Sequence, residues 1–168
     1  MSSEAAVVPN PAVLAAIEDL NARYAQAIDD DKLEAWPEFF TEDATYAIVP
    51  RENVELGYEI AIVSCRNRAM MLDRVFAIRK ASLYGPHRYR HIISRSLVTE
   101  DDDGSVRAVT PFVVFQMRTD PIDFGRVETY ALGEYRDTFV RAGEGFAIGS
   151  RMVVLDNSTV KSLLATPL

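Results

Sequence analysis

The spacing of apolar residues changes once along this chain, and that change limits what the chain can fold into. Through about Ser82 the apolar positions recur mainly at helical intervals; from Tyr89 onward they alternate, with turn residues separating the runs. Helices followed by successive strands indicate the α+β class, with the helices packed on the concave face of a strongly curved, mostly antiparallel sheet.

The individual elements follow from caps, breakers and turns. Asn10 is a capping residue and Pro11 suits a first helical position. Val13, Ile17, Leu20, Tyr24 and Ile28 then form an apolar stripe. Asp29, Asp30 and Asp31 end this helix, because carboxylates are unfavourable at a helix C-terminus, and Asp31 is placed to cap a short second helix through Leu33, Ala35 and Trp36. A short strand is expected at Thr45–Val49, a loop at Arg51–Gly57, and a helix at Arg68–Ser82 ended by Gly85 and Pro86. Four strands follow: Tyr89–Thr99, Ser105–Met117, Arg126–Val140 and Phe146–Leu155. Asp103-Gly104 marks a hairpin turn between the first two. Pro111 predicts a sheet edge or bulge in the second strand, and Gly133 a bulge in the third. The remainder, Asp156–Leu168, is read as a tail with a helical turn near Val160–Leu164. Residues 1–10 are expected to be a flexible tail and residues 11–168 a single domain.

With 168 residues the chain can bury a core without covalent staples. Its net charge of −7 and pI near 4.9 repel phosphate backbones, which argues against nucleic acid as a partner. No apolar run reaches membrane-spanning length, and the N-terminus lacks the basic start and apolar stretch of a signal peptide, so the expected location is the cytoplasm. Cys65 is the only cysteine, and His87 and His91 are the only histidines. One cysteine excludes an internal disulfide and a cysteine-built zinc or iron–sulfur site within this chain.

Few constellations can carry chemistry. On a strand, His87 and His91 stand about 13 Å apart, too far for one ion. The aspartates 29–31 read first as a solvated helix end, since charge runs usually face water. The sharper reading takes Tyr24, Asp31, Tyr46 and His91 as an acid–base set inside the cone. Cys65 has Arg66 and Arg68 nearby, which would lower its pKa, but a lone cysteine is more often an apolar filler. Arg88, Tyr89, Arg90 and His91 form the most basic stretch, and Arg88 and Tyr89 are candidates for a subunit contact, with a solvated strand face as the alternative. No P-loop or dinucleotide fingerprint is present.

Several segments resemble the β (small) subunits of bacterial aromatic-ring-hydroxylating dioxygenases, the Rieske non-haem iron enzymes. They include Tyr24-Ala25-Gln26-Ala27-Ile28-Asp29-Asp30-Asp31, then 34–43 with Trp36-Pro37, 53–57, Met71-Leu72-Asp73-Arg74, His87-Arg88-Tyr89-Arg90-His91-Ile92, Gly133-Glu134-Tyr135-Arg136-Asp137 and 155–160. Within the family the likeness is greatest to the terephthalate, salicylate and benzoate types, with Pro111-Phe112 and Ser158-Thr159-Val160 pulling toward terephthalate. The resemblance implies a cone-shaped NTF2-like (cystatin-like) fold. It also implies a non-catalytic structural role, self-association as a homotrimer, and assembly with α subunits as an α3β3 heterohexamer. In that arrangement the Rieske [2Fe-2S] cluster and mononuclear Fe(II) belong to the α subunit. The residue inventory agrees: a Rieske centre needs two cysteines and two histidines, and the oxygen-activating iron needs two histidines and a carboxylate. Two other classes remain open: a stand-alone dehydratase or isomerase using Asp31 and His91, and a small-ligand-binding module with an apolar cavity.

Overall fold

A computed structural model describes residues 10–58, 60–81, 86–157 and 166–168. Residues 1–9, the helix end expected at Ser82 with its breaker Gly85, and the turn expected near Val160–Leu164 lie outside the described residues. Helix α1 (Pro11–Asp29) starts as its sequence predicts: Asn10 Oδ1 accepts the Ala12 N–H at 3.0 Å, and Val13, Ile17, Leu20, Tyr24 and Ile28 are buried. After Asp30, Asp31 takes a left-handed conformation with φ 58° and reverses the chain. Its carboxylate does not cap the following 3-10 helix, Leu33–Phe39, which has no side-chain cap. Arg79 offers a stronger, charged donor and takes both Asp31 oxygens, at 2.8 and 2.9 Å.

Strand β1 (Phe40–Pro50) follows directly and is longer than the apolar alternation at Thr45–Val49 implied. Where a loop was expected, residues Arg51–Glu55 form a short helix, α2. Strand β2 (Val63–Cys65) is only three residues long, too brief for a periodic signal, and pairs antiparallel with β1. Helix α3 spans Arg68–Ala81.

The expected Tyr89–Thr99 strand is two strands, β3 (His87–Ile93) and β4 (Leu97–Glu100), both antiparallel to β5 (Val106–Arg118). That interruption accounts for Pro111, which is in an interior strand and not at an edge. The Pro111 carbonyl accepts the Ser94 N–H at 2.9 Å, so the side on which proline lacks a donor faces the gap between β3 and β4. Strands β6 (Val127–Ala142) and β7 (Gly145–Leu155) complete the antiparallel meander. The β5–β6 register shifts between Val114 and Phe115, leaving Tyr130 as the extra residue, so the bulge is three residues before Gly133. Gly133 itself pairs regularly with Phe112 and Leu155. It is glycine because a Cβ there would lie 1.9 Å from the Val154 carbonyl oxygen.

The sheet order is β2-β1-β7-β6-β5-β3, with β4 also on β5, and β1 runs parallel to β7. The first strand therefore returns to the last across most of the chain, extending the four-strand meander. Helix α1 packs on β3 and β7, and α3 on β1, so the core fills the space between the helices and the curled sheet. Among the described residues no helix is long and apolar enough to cross a membrane.

Candidate functional site

The interior of the cone is where a pocket would have to be, and side chains occupy it. Tyr24 Oη donates to the Leu168 carbonyl at 2.7 Å and accepts from Trp36 Nε1 at 2.9 Å. The Leu168 N–H donates to Tyr46 Oη at 3.0 Å. The Trp36 ring meets Tyr46 edge-on at 5.0 Å and Phe40 at 5.7 Å, contacts worth about 0.5–1.5 kcal/mol each beyond their burial. Burial raises the Tyr24 phenol above its usual range, against the pull of the Arg151 charge, and pushes Tyr46 well above it. Both hydroxyls are thus neutral and engaged in holding Leu168 within the core.

A buried ion pair lies beside them. Arg151 Nε and Nη2 donate to the two Asp137 oxygens at 2.8 and 2.7 Å, and Nη2 also donates to Asn21 Oδ1 at 2.5 Å. The guanidinium carbon sits 4.2 Å from the ring centres of both Tyr24 and Tyr135, a cation between two aromatic faces. Burial pushes the Asp137 carboxyl up while Arg151 pulls it down. For Arg151, burial disfavours the charge and Asp137 more than offsets this, so the guanidinium stays protonated. Sequence reading missed this pair. The available signal was strand parity: Asp137 falls in phase with the buried Tyr135 and Phe139, and Arg151 with Val153.

Of the proposed acid–base set, the structure brings Tyr24 and Tyr46 together around Leu168 and leaves Asp31 apart from His91. The partner of His91 is Asp29. His91 Nδ1 lies 2.6 Å from Asp29 Oδ1, the His91 backbone N–H donates to Asp29 Oδ2 at 3.0 Å, and the two side chains are 1% and 4% exposed. Helical geometry explains the choice: Asp29 follows Ile28 on the last turn of α1 and faces β3, whereas Asp31 lies beyond the reversal and faces Arg79. Arg79 also donates to Glu34 through Nε at 2.8 Å and Nη2 at 3.0 Å. That contact holds the Glu34 carboxyl at a pKa of about 2 and raises the Arg79 guanidinium further.

The remaining candidates disperse. His87 and His91 pair with Arg118 and Val114, four steps apart along β3, and among the described residues no three His, Cys, Asp or Glu side chains are grouped to hold a metal ion. Cys65 is buried, and burial raises its thiol pKa despite the opposing charge of Arg74; it acts as core filler. Arg88 and Tyr89 point to opposite faces of β3: Arg88 is exposed, while Tyr89 packs on the core with its ring 4.7 Å from His87 and 4.9 Å from Tyr130. A cleft of about 640 Å³ opens at the surface where α1, α3 and β3 meet. It is lined by carboxylates and guanidiniums, among them Asp31, Arg79 and Arg88.

Helices enclosed by a curled, mostly antiparallel sheet, with side chains filling the interior, define a cone-shaped NTF2-like α+β domain. Residues 23–162 match the family model for the ring hydroxylating beta subunit, and the chain belongs to that family. It is 42% identical to the small subunit of anthranilate 1,2-dioxygenase from Burkholderia cepacia, over 89% of this chain and 90% of that one. It is 36% identical to the terminal oxygenase component subunit beta 2 of terephthalate 1,2-dioxygenase from Comamonas, over 90% and 96%. A crystal structure from Novosphingobium aromaticivorans superposes with a TM-score of 0.83 at 38% identity, covering 94% of this chain and 97% of that one; it is described as the β subunit of a candidate aromatic-ring-hydroxylating dioxygenase.

Proposed function

We propose that this chain is the structural, non-catalytic β subunit of a cytoplasmic oxygenase that dihydroxylates an aromatic carboxylate. Three copies form a trimeric base carrying three α subunits, and those subunits hold the Rieske cluster and the mononuclear iron. The observation that carries the reading is the filled cone: Trp36, Tyr46, Arg151 and Leu168 occupy the volume an active site would need. The donor inventory supports it, because one cysteine and two separated histidines do not fit either iron group. The substrate class rests on the relatives, whose named substrates, anthranilate and terephthalate, both carry a ring carboxylate. The same interior disfavours a stand-alone dehydratase or isomerase and a ligand-binding module, because Trp36, Tyr46, Arg151 and Leu168 are buried within it and Asp31 is held by Arg79 at the surface.

Co-expression with the large subunit of a ring-hydroxylating dioxygenase from the same genome tests this reading. The expected result is a brown complex of equal stoichiometry, with ring hydroxylation only when both chains are present. A lone copy of this chain that turns over substrate would overturn it.

A further inference from the structure

We infer that the buried Arg151 guanidinium and the Tyr135 hydroxyl beside it are a binding site for internal water, and that this water enters through the break between β3 and β4.

Two buried polar atoms point to the site. Asp137 engages Arg151 Nε and Nη2, and Asn21 Oδ1 accepts a further hydrogen bond from Nη2. Nη1, the third corner of the guanidinium, is equally buried and meets no hydrogen-bond partner among the described residues. Tyr135 Oη is in the same position, on a ring whose centre lies 4.2 Å from the guanidinium carbon. Burial pushes the Tyr135 phenol well above its usual range, so it keeps its proton and can both donate and accept. Buried N–H and O–H groups nearly always find a partner, whether protein or ordered water, because an unmade bond costs more than a made one gains.

Charge and size select water as the ligand. Asp137 already neutralises Arg151 within the core. An added anion would therefore leave an uncompensated buried charge, and a cation would be repelled by the guanidinium. The ligand must accept from Nη1, pair with a hydroxyl, and fit an interior that side chains otherwise fill. Water meets all three requirements, and polar neighbours in Asn21, Ser96 and Thr110 suit the locality to it.

A polar path leads there from the surface. Strand β3 ends at Ile93 and β4 begins at Leu97, both on β5, so residues 94–96 step off the ladder between them. Beside this break a cleft of about 420 Å³ opens against α1. Ala22, Ser94 and Arg95 are exposed at its rim, and Asn21 and Ser96 are buried at its floor. The floor continues inward as a chain of polar atoms. Ser96 Oγ pairs with Thr110 Oγ1 at 2.8 Å and accepts from Asn21 Nδ2 at 3.5 Å, and Asn21 Oδ1 is the atom that meets Arg151 Nη2. Two side chains thus separate the cleft from the guanidinium, and both can pass a water molecule along by exchanging hydrogen bonds. The break that accommodates Pro111 also hydrates a charge that folding has buried.

A high-resolution crystal structure of the full-length chain tests the site. Ordered water within hydrogen-bond distance of Arg151 Nη1 and of Tyr135 Oη is expected, and featureless density at either atom overturns the inference. Tyr135→Phe tests it in solution. Loss of a hydroxyl that bonds water is expected to lower the thermal midpoint by about 2–4 °C. Loss of an unpartnered hydroxyl relieves a cost, so an unchanged or raised midpoint counts against the site. Oxygen-17 relaxation dispersion tests the route. Ala22→Met with Ser94→Met alters only exposed side chains at the rim and leaves the floor intact. This variant is expected to keep its circular dichroism and to exchange its long-lived water more slowly than the unaltered chain. Equal exchange in the two proteins, or no long-lived water in either, overturns the inference.

Discussion

His91 engages both carboxylate oxygens of Asp29, one through its ring Nδ1 at 2.6 Å and the other through its backbone N–H at 3.0 Å. One buried aspartate at the end of α1 therefore fixes both the side chain and the main chain of β3. Asp31, two residues on, serves a different partner on the surface.

The two aspartates should separate in a stability measurement. Asp29→Ala strands a buried imidazole and a strand N–H, and is expected to cost about 2–4 kcal/mol in urea unfolding. Asp31→Ala removes an exposed pair with Arg79 and is expected to cost less than about 1 kcal/mol. Equal costs would contradict the assignment of Asp29 as the His91 partner.

The Arg151–Asp137 pair makes a second prediction. Removing one charge strands the other between Tyr24 and Tyr135, so Arg151→Met or Asp137→Leu alone should destabilise by about 3–5 kcal/mol. Combining the two removes the stranded charge, and the double variant is expected to be more stable than either single one. A double-mutant cycle in denaturant reads the coupling directly; additive costs would mean that the pair is not coupled.

These two pairs also mark where sequence was informative. Local signals were reliable: the Asn10-Pro11 start, the Val13-to-Ile28 stripe and the β5–β6–β7 meander are carried by neighbours a few residues apart. Contacts across long separations left no such pattern. The β1–β7 parallel pairing joins Tyr46 to Arg151, and the Asp29–His91 bond spans 62 residues. Pro111 and Gly133 were legible as constraints on the backbone, but not as to which constraint. One faces a gap in a neighbouring strand, and the other makes room for the Val154 carbonyl. The triple-aspartate run points to Asp31 and not Asp29 as the partner of His91, because composition does not distinguish the residue before a chain reversal from the residue after it.

The Arg79 clamp should depend on pH. The Glu34 carboxyl falls from the ordinary range near 4.5 to about 2 in the folded chain, chiefly through its hydrogen bond from Arg79. A folded pKa below the unfolded one gives stability that is present in full above the unfolded value and lost as pH falls through the folded value. The difference in thermal midpoint between the natural chain and Arg79→Met should therefore be steady from pH 7 to pH 5. It should shrink between about pH 4.5 and pH 2, and be smaller in high salt, because Glu34 is exposed. A difference that persists unchanged at pH 2 would show that packing of the Arg79 stem, not charge, joins α3 to the 3-10 helix.

The last prediction separates structure from chemistry within the assembled enzyme. Tyr24→Phe removes the hydroxyl that joins Trp36 Nε1 to the Leu168 carbonyl, and His91→Gln disturbs the bond to Asp29. If these groups only hold the cone together, each variant lowers the thermal midpoint. Turnover per assembled complex should then stay within about twofold, a change of about 0.4 kcal/mol in the barrier. A general acid or base supplies about 100-fold or more, so a loss of that size at an unchanged level of assembly would return chemistry to this chain. The readout must be kcat per mole of complex, with the amount of assembled complex quantified in each preparation. A destabilised β subunit that sheds its partner lowers total activity without touching any chemical step, and only normalisation to assembled complex keeps the two causes apart.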